Sequence, residues 1–134
     1  MTMKERAELA AGWKRDGVRN CCQSVTLALA DQCDLTEEQL RCLASGFVVG
    51  MGDPDATCGS LVGACMMAGV HCQGDHALRY TKRITQRFRE LSGAVACGDL
   101  KGRETGEILC PCDECVRNAI LAYAEVMGDR KSVV

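Results

Sequence analysis

Apolar residues recur along most of the chain at the three- and four-residue intervals of an α-helix. They predict a first helix that ends near Gly17, with an apolar face formed by Met3, Ala7, Ala10 and Trp13. The same spacing predicts a second helix capped by Asn20 that runs to about Asp31 or Cys33, a third capped by Thr36, a fourth from about Cys58 to Gly74, a fifth from His76 to Ser92, and a last one starting just after Pro111. A short helical turn is predicted after Cys97. No segment alternates in β-branched and aromatic residues as strands do, so we predict an all-α bundle of five or six helices.

The chain is organised as one domain. Its 134 residues match the size of a single ordinary domain, and they contain no linker, low-complexity tract or tandem repeat. Hydrophobic residues make up 47% and charged residues 25%, which is typical of a globular protein and excludes global disorder. We therefore predict a single helical domain over residues 1–134.

Charge and aromatic content argue against two classes of partner. The net charge is -2 and only 4% of the residues are aromatic, whereas nucleic-acid binding needs excess Lys and Arg or stacking side chains. The stretch from Ala56 to Gly74 has no formal charge, but its polar residues and glycines make it less hydrophobic than a membrane span. We expect a buried helix here, with neither a nucleic acid nor a membrane as partner.

Cysteine is the unusual component, with 11 residues in the chain. The amino-terminal segment is charged and has no apolar run, so we expect no secretory signal and a cytoplasmic location. Disulfides are rare in that reducing compartment, where Cys-rich chains more often bind metal or perform thiol chemistry. The cysteines are therefore the candidate functional residues.

Four cysteines share a position that favours the thiolate. They lie in or just before the first turn of a predicted helix, and they are Cys21, Cys58, Cys97 and Cys112. Helix amino termini present unpaired N–H groups and a partial positive charge, both of which stabilise a thiolate over a thiol. If the four sulfurs meet, they form a four-thiolate site suited to zinc or to an iron–sulfur cluster.

The densest cluster is Cys110-Pro-Cys112-Asp-Glu-Cys115. A C-x-x-C pair at a helix start is similar to a dithiol redox couple, although no βαβ pattern supports a thioredoxin fold. Cys112 and Cys115 are therefore the candidate catalytic residues of a metal-free thiol–disulfide oxidoreductase, with Cys110 as a possible third thiol.

Other cysteines have simpler interpretations. Packing in the core explains Cys22, Cys33 and Cys65, because free cysteine behaves as a small hydrophobic residue. Cys42 lies opposite the apolar face of its helix and receives no role, whereas Cys65 and Cys72 share a helix face with Cys58 and are reserve ligands.

Small residues line two sides of the fourth predicted helix. One pair is Gly59 and Gly63, and a second row contains Ser60, Ala64 and Ala68. Such rows let another group approach the helix closely, and either a neighbouring helix or a cofactor would fit them.

Several separated motifs occur in order between about residues 18 and 125. They are Asn20-Cys-Cys-Gln-Ser-Val25, Leu43-Ala-Ser-Gly-Phe47 leading to Gly50-Met-Gly52, Cys58-Gly-Ser-Leu-Val-Gly-Ala64, Cys97-Gly-Asp-Leu-Lys-Gly102 and Cys112-Asp-Glu-Cys-Val-Arg117. Together they resemble the C-GCAxxG-C-C family of redox-active proteins. In this resemblance the four signature cysteines of the family fall on Cys21, Cys58, Cys97 and Cys112.

The family is similar in turn to the non-haem domain of split-Soret cytochrome c, where cysteines hold a 2Fe-2S cluster. The resemblance therefore implies electron transfer or redox sensing through such a cluster, with a zinc-stabilised module as an alternative. A redox partner protein is expected. A basic stripe of Arg79, Arg83 and Arg87 would suit an acidic partner, although a solvated helix face explains it better. Both a monomer and a homodimer remain open.

Overall fold

A computed structural model describes residues 1–128, which form eight α-helices and no β-strand. The helices are α1 (Met3–Arg15), α2 (Cys21–Ala28), α3 (Glu37–Ala44), α4 (Val49–Gly52), α5 (Gly59–His71), α6 (Ala77–Ser92), α7 (Cys97–Leu100) and α8 (Cys112–Gly128), with a 3-10 turn at Ala30–Gln32. Six of these have eight or more residues, while α4 and α7 are single turns. The predicted all-α fold is confirmed, and α4 is a single turn that the spacing of apolar residues did not predict.

Side-chain caps fix where three of the helices begin. Thr2, Asn20 and Thr36 each accept a hydrogen bond from the backbone three residues later, and the side chain at that later position bonds back to the cap. Each cap contributes about 1 kcal/mol to helix stability. The Asn20 amide also donates to the Ala44 carbonyl at 3.3 Å, so the start of α2 is tied to the end of α3. The predicted caps Asn20 and Thr36 are confirmed.

The last helix, α8, lies at the centre of the bundle and packs against α1, α2, α5 and α6. Its buried face includes Val116, Ile120 and Tyr123, and α6 contributes Ile84 and Phe88 to the same core. Burying a side chain of this size stabilises the fold by about 1.5–3 kcal/mol. The first turn of α8 is therefore anchored by the core of the molecule.

Close packing of α5 against α2 requires glycine. A Cβ atom at Gly63 would lie 3.1 Å from the Cys22 carbonyl oxygen and 3.3 Å from its sulfur. A neighbouring helix thus occupies one of the small-residue faces. The uncharged stretch that contains α5 is a largely buried helix, as predicted. Among the helices of residues 1–128, none is both long and apolar enough to span a membrane.

An ion pair joins α1 to the 3-10 turn. Arg6 Nη2 donates to Asp31 Oδ2 at 2.7 Å, and Arg6 Nη1 donates to the Ala28 carbonyl at 3.3 Å. The hydrogen bond from Arg6 lowers the pKa of Asp31 to about 2. Because the unfolded carboxyl has a pKa of about 3.9, the pair contributes stability above about pH 4 and loses it as the pH falls through about 2.

We expect Asp31→Asn to lower the free energy of unfolding at pH 7 by less than about 1 kcal/mol. The effect is small because the Asp31 side chain is 59% exposed and water screens the charge. Urea denaturation of both proteins should show a difference at pH 7 that shrinks below about pH 4. A difference that is constant across this range would contradict the assignment of the low pKa to this pair.

Candidate functional site

The starts of α2, α5, α7 and α8 meet at one pocket of about 200 Å³. Its lining includes Cys21, Cys58, Cys97 and Cys112 together with Lys14 and Lys101. Cys21, Cys97 and Cys112 are the first residues of their helices, and Cys58 is the residue that caps α5. Four cysteines that are remote in sequence are therefore brought together by the packing of four helices.

Two short extended segments hold Cys58 beside Cys97. Thr57 and Ala96 form an isolated antiparallel bridge. The Cys58 N–H donates to the Val95 carbonyl at 2.7 Å, and the Cys97 N–H donates to the Ala56 carbonyl at 2.9 Å. These backbone bonds fix α5 and α7 relative to each other at their first residues.

A further wall of the pocket is the segment from Phe47 to Gly50, which packs against this bridge. Gly50 has a φ of 73°, and a Cβ there would lie 3.1 Å from the Ala56 carbonyl oxygen and 3.3 Å from the Cys97 Cβ. Glycine is needed at this position both for the left-handed conformation and for the close approach. Val49 has a φ of 53°, which is strained for a β-branched residue.

Cys112 forms the most acidic thiol group of the pocket. A hydrogen bond from Cys21 is the main cause, and the Lys101 ammonium adds a second hydrogen bond and a positive charge, so the pKa of Cys112 falls to about 5 despite partial burial. The same hydrogen bond, together with burial, raises the pKa of Cys21, which keeps its proton. Cys21 and Cys112 therefore act as a thiol–thiolate pair.

Cys58 is a second thiolate. A hydrogen bond from Cys115 is the main influence that lowers its pKa to about 6, and the Ser60 hydroxyl and the N–H groups of Ser60 and Leu61 add to it against the opposing effect of burial. Within residues 1–128 the fully buried Ser60 hydroxyl has no oxygen or nitrogen partner. The predicted effect of a helix start on a thiolate is therefore present at Cys58.

A helix start does not by itself make a thiolate at Cys97. Burial raises the pKa of Cys97, and the positive charge of Lys101 opposes this only in part. Our expectation that all four positions favour the thiolate is thus wrong for Cys97 and Cys21, because burial and neighbouring thiolates outweigh the helix terminus there.

Comparison with known proteins agrees with the motifs in this pocket. A family model described as "Putative redox-active protein (C_GCAxxG_C_C)" matches residues 19–126. The chain belongs to the C-GCAxxG-C-C family. The resemblance predicted from the motifs is confirmed, and the description of the family supports a redox activity. No curated protein and no solved structure matches the chain.

The C-x-x-C segment of this family member is divided between two groups of sulfurs. Cys112 is hydrogen-bonded to Cys21, whereas Cys115 is hydrogen-bonded to Cys58 and to Cys110. The two candidate catalytic cysteines thus have different partners. Cys115 is fully buried. Its thiol interacts both with the Cys58 thiolate, which lines the pocket, and with Cys110.

The other cysteines are distributed over the molecule. Cys22 is fully buried against α5, and burial raises its pKa to about 12. Cys72 is also buried, whereas Cys33 and Cys65 are partly exposed and Cys42 is exposed beside Glu38. Cys65, which we considered as a reserve ligand, lines a separate pocket with Thr85.

The four cysteine sulfurs of the pocket are suitable ligands for a metal centre. Four cysteine sulfurs are the usual ligands of a 2Fe-2S cluster and of structural zinc. In the structure of residues 1–128 the Cys112 thiolate interacts with the Cys21 thiol and with Lys101, and no three His, Cys, Asp or Glu side chains are placed around a common ion position.

Two lysines that line the cysteine pocket were not identified from the sequence. Lys101 is half-buried, and although burial lowers its pKa, the hydrogen bond to Cys112 and the nearby thiolates raise it to about 12. Its position four residues after Cys97 on the same helical turn could have indicated it. Lys14 comes from α1 and lies outside the family match, so that only the tertiary structure reveals it.

The low pKa of Cys112 leads to an expected pH dependence. Since the thiolate forms above about pH 5, the rate of alkylation of Cys112 by iodoacetamide in metal-free protein should change little between about pH 6.5 and 8.5. Free glutathione, with an ordinary thiol pKa, should react about tenfold faster for each pH unit until its thiolate predominates. Lys101→Met should raise the pKa of Cys112 and make its rate more dependent on pH. A rate at Cys112 that follows glutathione in both proteins would exclude the thiolate.

Proposed function

We propose that this member of the C-GCAxxG-C-C family is an electron-transfer or redox-sensing protein that holds a 2Fe-2S cluster. The observation that carries the proposal is the meeting of Cys21, Cys58, Cys97 and Cys112 at one pocket. Their thiolates are the ligand set of such a cluster. When bound, a cluster of this type accepts and releases single electrons.

The surroundings of the four cysteines suit a negatively charged centre. Lys101 donates to the Cys112 sulfur, and Lys14 lines the same pocket, so two positive charges offset those of the thiolates. The N–H groups of Ser60 and Leu61 and the Ser60 hydroxyl face the Cys58 sulfur. Hydrogen bonds to ligand sulfurs are a principal means by which proteins set the reduction potential of a cluster.

Access to the pocket from solvent is limited but not closed. Phe47 is half-buried, while Val48 and Val49 are 47% and 55% exposed and form an apolar rim. We infer that a redox partner protein contacts this rim, because electron transfer needs a short path to the centre. The basic stripe on α6 supports docking less well, since its Arg87 is already paired with Glu90 and Glu125.

The proposal includes a cytoplasmic location, because a chain with 11 cysteines that uses them as thiols or ligands suits a reducing compartment. In the same setting, zinc bound by the four cysteines would give a structural module without redox activity. A metal-free protein would instead use its thiols directly.

Purification without oxygen, followed by iron, acid-labile sulfide and zinc analysis and a visible spectrum, separates these functions. We expect about two irons and two sulfides per chain and visible absorption that bleaches on reduction. Zinc in place of iron would show the structural module. A colourless protein that takes up neither metal, even after incubation with ferrous iron and sulfide, would exclude the cluster.

A further inference from the structure

Cys110 and Cys115 form a second pair of contacting thiols beneath the pocket. Cys110 lies in the segment between α7 and α8, and Cys115 lies one turn into α8. They are 3% and 0% exposed, and each thiol is the main influence on the pKa of the other, as expected for neighbouring sulfurs. Neither belongs to the four cysteines proposed to hold the cluster, so their thiols are not needed as ligands.

Polar side chains are placed around this pair. Asn118 Nδ2 lies 3.8 Å from the Cys110 sulfur and 3.0 Å from the Ser92 Oγ, and Ser92, which is 4% exposed, also bonds to Cys110. A cysteine that only fills the core needs no such donors. Cys22 is also buried, but its sulfur faces the backbone of Gly63, where an added Cβ would lie 3.3 Å from it. The donors at Cys110 therefore indicate a sulfur with chemical function.

The backbone holds the two sulfurs at fixed positions. The Cys110 N–H donates to the Leu100 carbonyl at 3.1 Å, and the Cys115 N–H donates to the Pro111 carbonyl at 2.9 Å. The Cys115 sulfur also lies 3.5 Å from the Cys110 carbonyl oxygen. Because the Cys115 sulfur already lies against the backbone of Cys110, we expect side-chain rotation alone to bring the two sulfurs to the S–S bond length of about 2.05 Å, with both backbone bonds kept.

We propose that Cys110 and Cys115 are a reversible dithiol–disulfide couple, a redox site separate from the four-cysteine pocket, with hydrogen peroxide as oxidant. The Cys110 thiolate attacks one peroxide oxygen, forming a sulfenic acid and releasing hydroxide. The Cys115 thiolate then attacks the Cys110 sulfur, forming the disulfide and releasing a second hydroxide. The two thiol protons convert both hydroxides to water, so two electrons pass from the sulfurs to one peroxide. A dithiol reductant reverses the change by two thiol–disulfide exchanges.

The pair also touches the four-cysteine pocket, since Cys115 donates to Cys58. Formation of the disulfide removes the Cys115 thiol hydrogen and with it this hydrogen bond. The state of the couple is thereby communicated to Cys58.

Peptide mapping of the full chain tests the couple. Trypsin cuts after Arg103 and Arg117, so residues 104–117 form one peptide with three cysteines. The protein is treated with hydrogen peroxide, free thiols are alkylated, and the peptide is fragmented in the mass spectrometer. We expect a disulfide between Cys110 and Cys115 in the wild type and in Cys112→Ser, its loss in Cys110→Ser and Cys115→Ser, and its reversal by dithiothreitol.

Two outcomes would overturn the couple: a peptide whose thiols all remain free in Cys112→Ser, or an equal yield of internal disulfide in Cys115→Ser. Circular dichroism establishes that each variant is folded, and Cys110→Ala replaces Cys110→Ser if the latter is not. Cys65→Ser is the matched control and should leave the disulfide unchanged. Metal analysis of the same samples tests the cluster separately, because neither member of the pair is among its proposed ligands.

Discussion

Replacing Cys58 by serine is expected to remove most of the bound iron and the visible absorption of anaerobically prepared protein. Cys58 is 3% exposed and receives hydrogen bonds from Cys115, the Ser60 hydroxyl and two backbone N–H groups, so its sulfur is the most completely enclosed of the thiolates that line the pocket. A serine hydroxyl is a far weaker ligand, since it does not ionise near neutral pH. Cys21→Ser, Cys97→Ser and Cys112→Ser should have the same direction of effect.

Cys65→Ser is the matched control for this result. Cys65 belongs to the same helix, α5, but it lines a different pocket with Thr85, so this variant should keep its iron. Iron and sulfide per chain, measured beside the free energy of unfolding, separate lost coordination from lost folding. Undiminished iron in Cys58→Ser, or an equal loss in Cys65→Ser, would remove Cys58 from the ligand set.

The second large effect is expected from Gly59→Ala. A Cβ at this position would lie 2.6 Å from the Phe47 carbonyl oxygen, which is closer than atoms of this kind approach. The backbone of Phe47, and with it the wall of the pocket, would have to move. We expect the free energy of unfolding to fall by about 1–3 kcal/mol, as in other overpacked positions.

Gly69→Ala is the control in the same helix. Within residues 1–128 a Cβ at Gly69 meets no atom of a packed neighbour within 4 Å, so here the higher helix propensity of alanine should stabilise the protein by up to about 1 kcal/mol. Urea denaturation of the two metal-free variants and the wild type should show a lower free energy of unfolding for Gly59→Ala and a higher one for Gly69→Ala. If Gly59→Ala is as stable as Gly69→Ala, the Phe47 segment is free to move and does not form a fixed wall.

Local signals predicted much of this fold. The caps Asn20 and Thr36 and the apolar spacing of α6 and α8 depend on neighbouring residues, so they can be recognised without tertiary information. The positions of Cys21, Cys58, Cys97 and Cys112 at helix starts followed from the same signals. The single turn α4 could not be predicted, because Val49 and Gly50 adopt positive φ angles, and for valine this conformation runs against the local preference of the residue.

The chemistry within the site depended on packing that local patterns do not encode. The spacing of Cys112 and Cys115 predicted that they would act together, yet their hydrogen bonds go to Cys21 and Cys58 on other helices. Likewise, the position of Cys97 at a helix start predicted a lowered pKa, but burial raises the pKa of this thiol instead. Which sulfur carries the proton is decided by neighbours that come from distant parts of the chain.

The origin of the four cysteines in four different helices has a thermodynamic consequence. An occupant of the pocket can bind only when α2, α5, α7 and α8 are all in place, so its binding energy adds to the stability of the entire bundle. Once the site is nearly saturated, each tenfold increase in free ligand adds about 1.4 kcal/mol. The melting temperature of the protein should therefore rise with the fraction of pockets that are filled. A chelator that removes the bound metal should lower the melting temperature, although it binds to no other part of the protein.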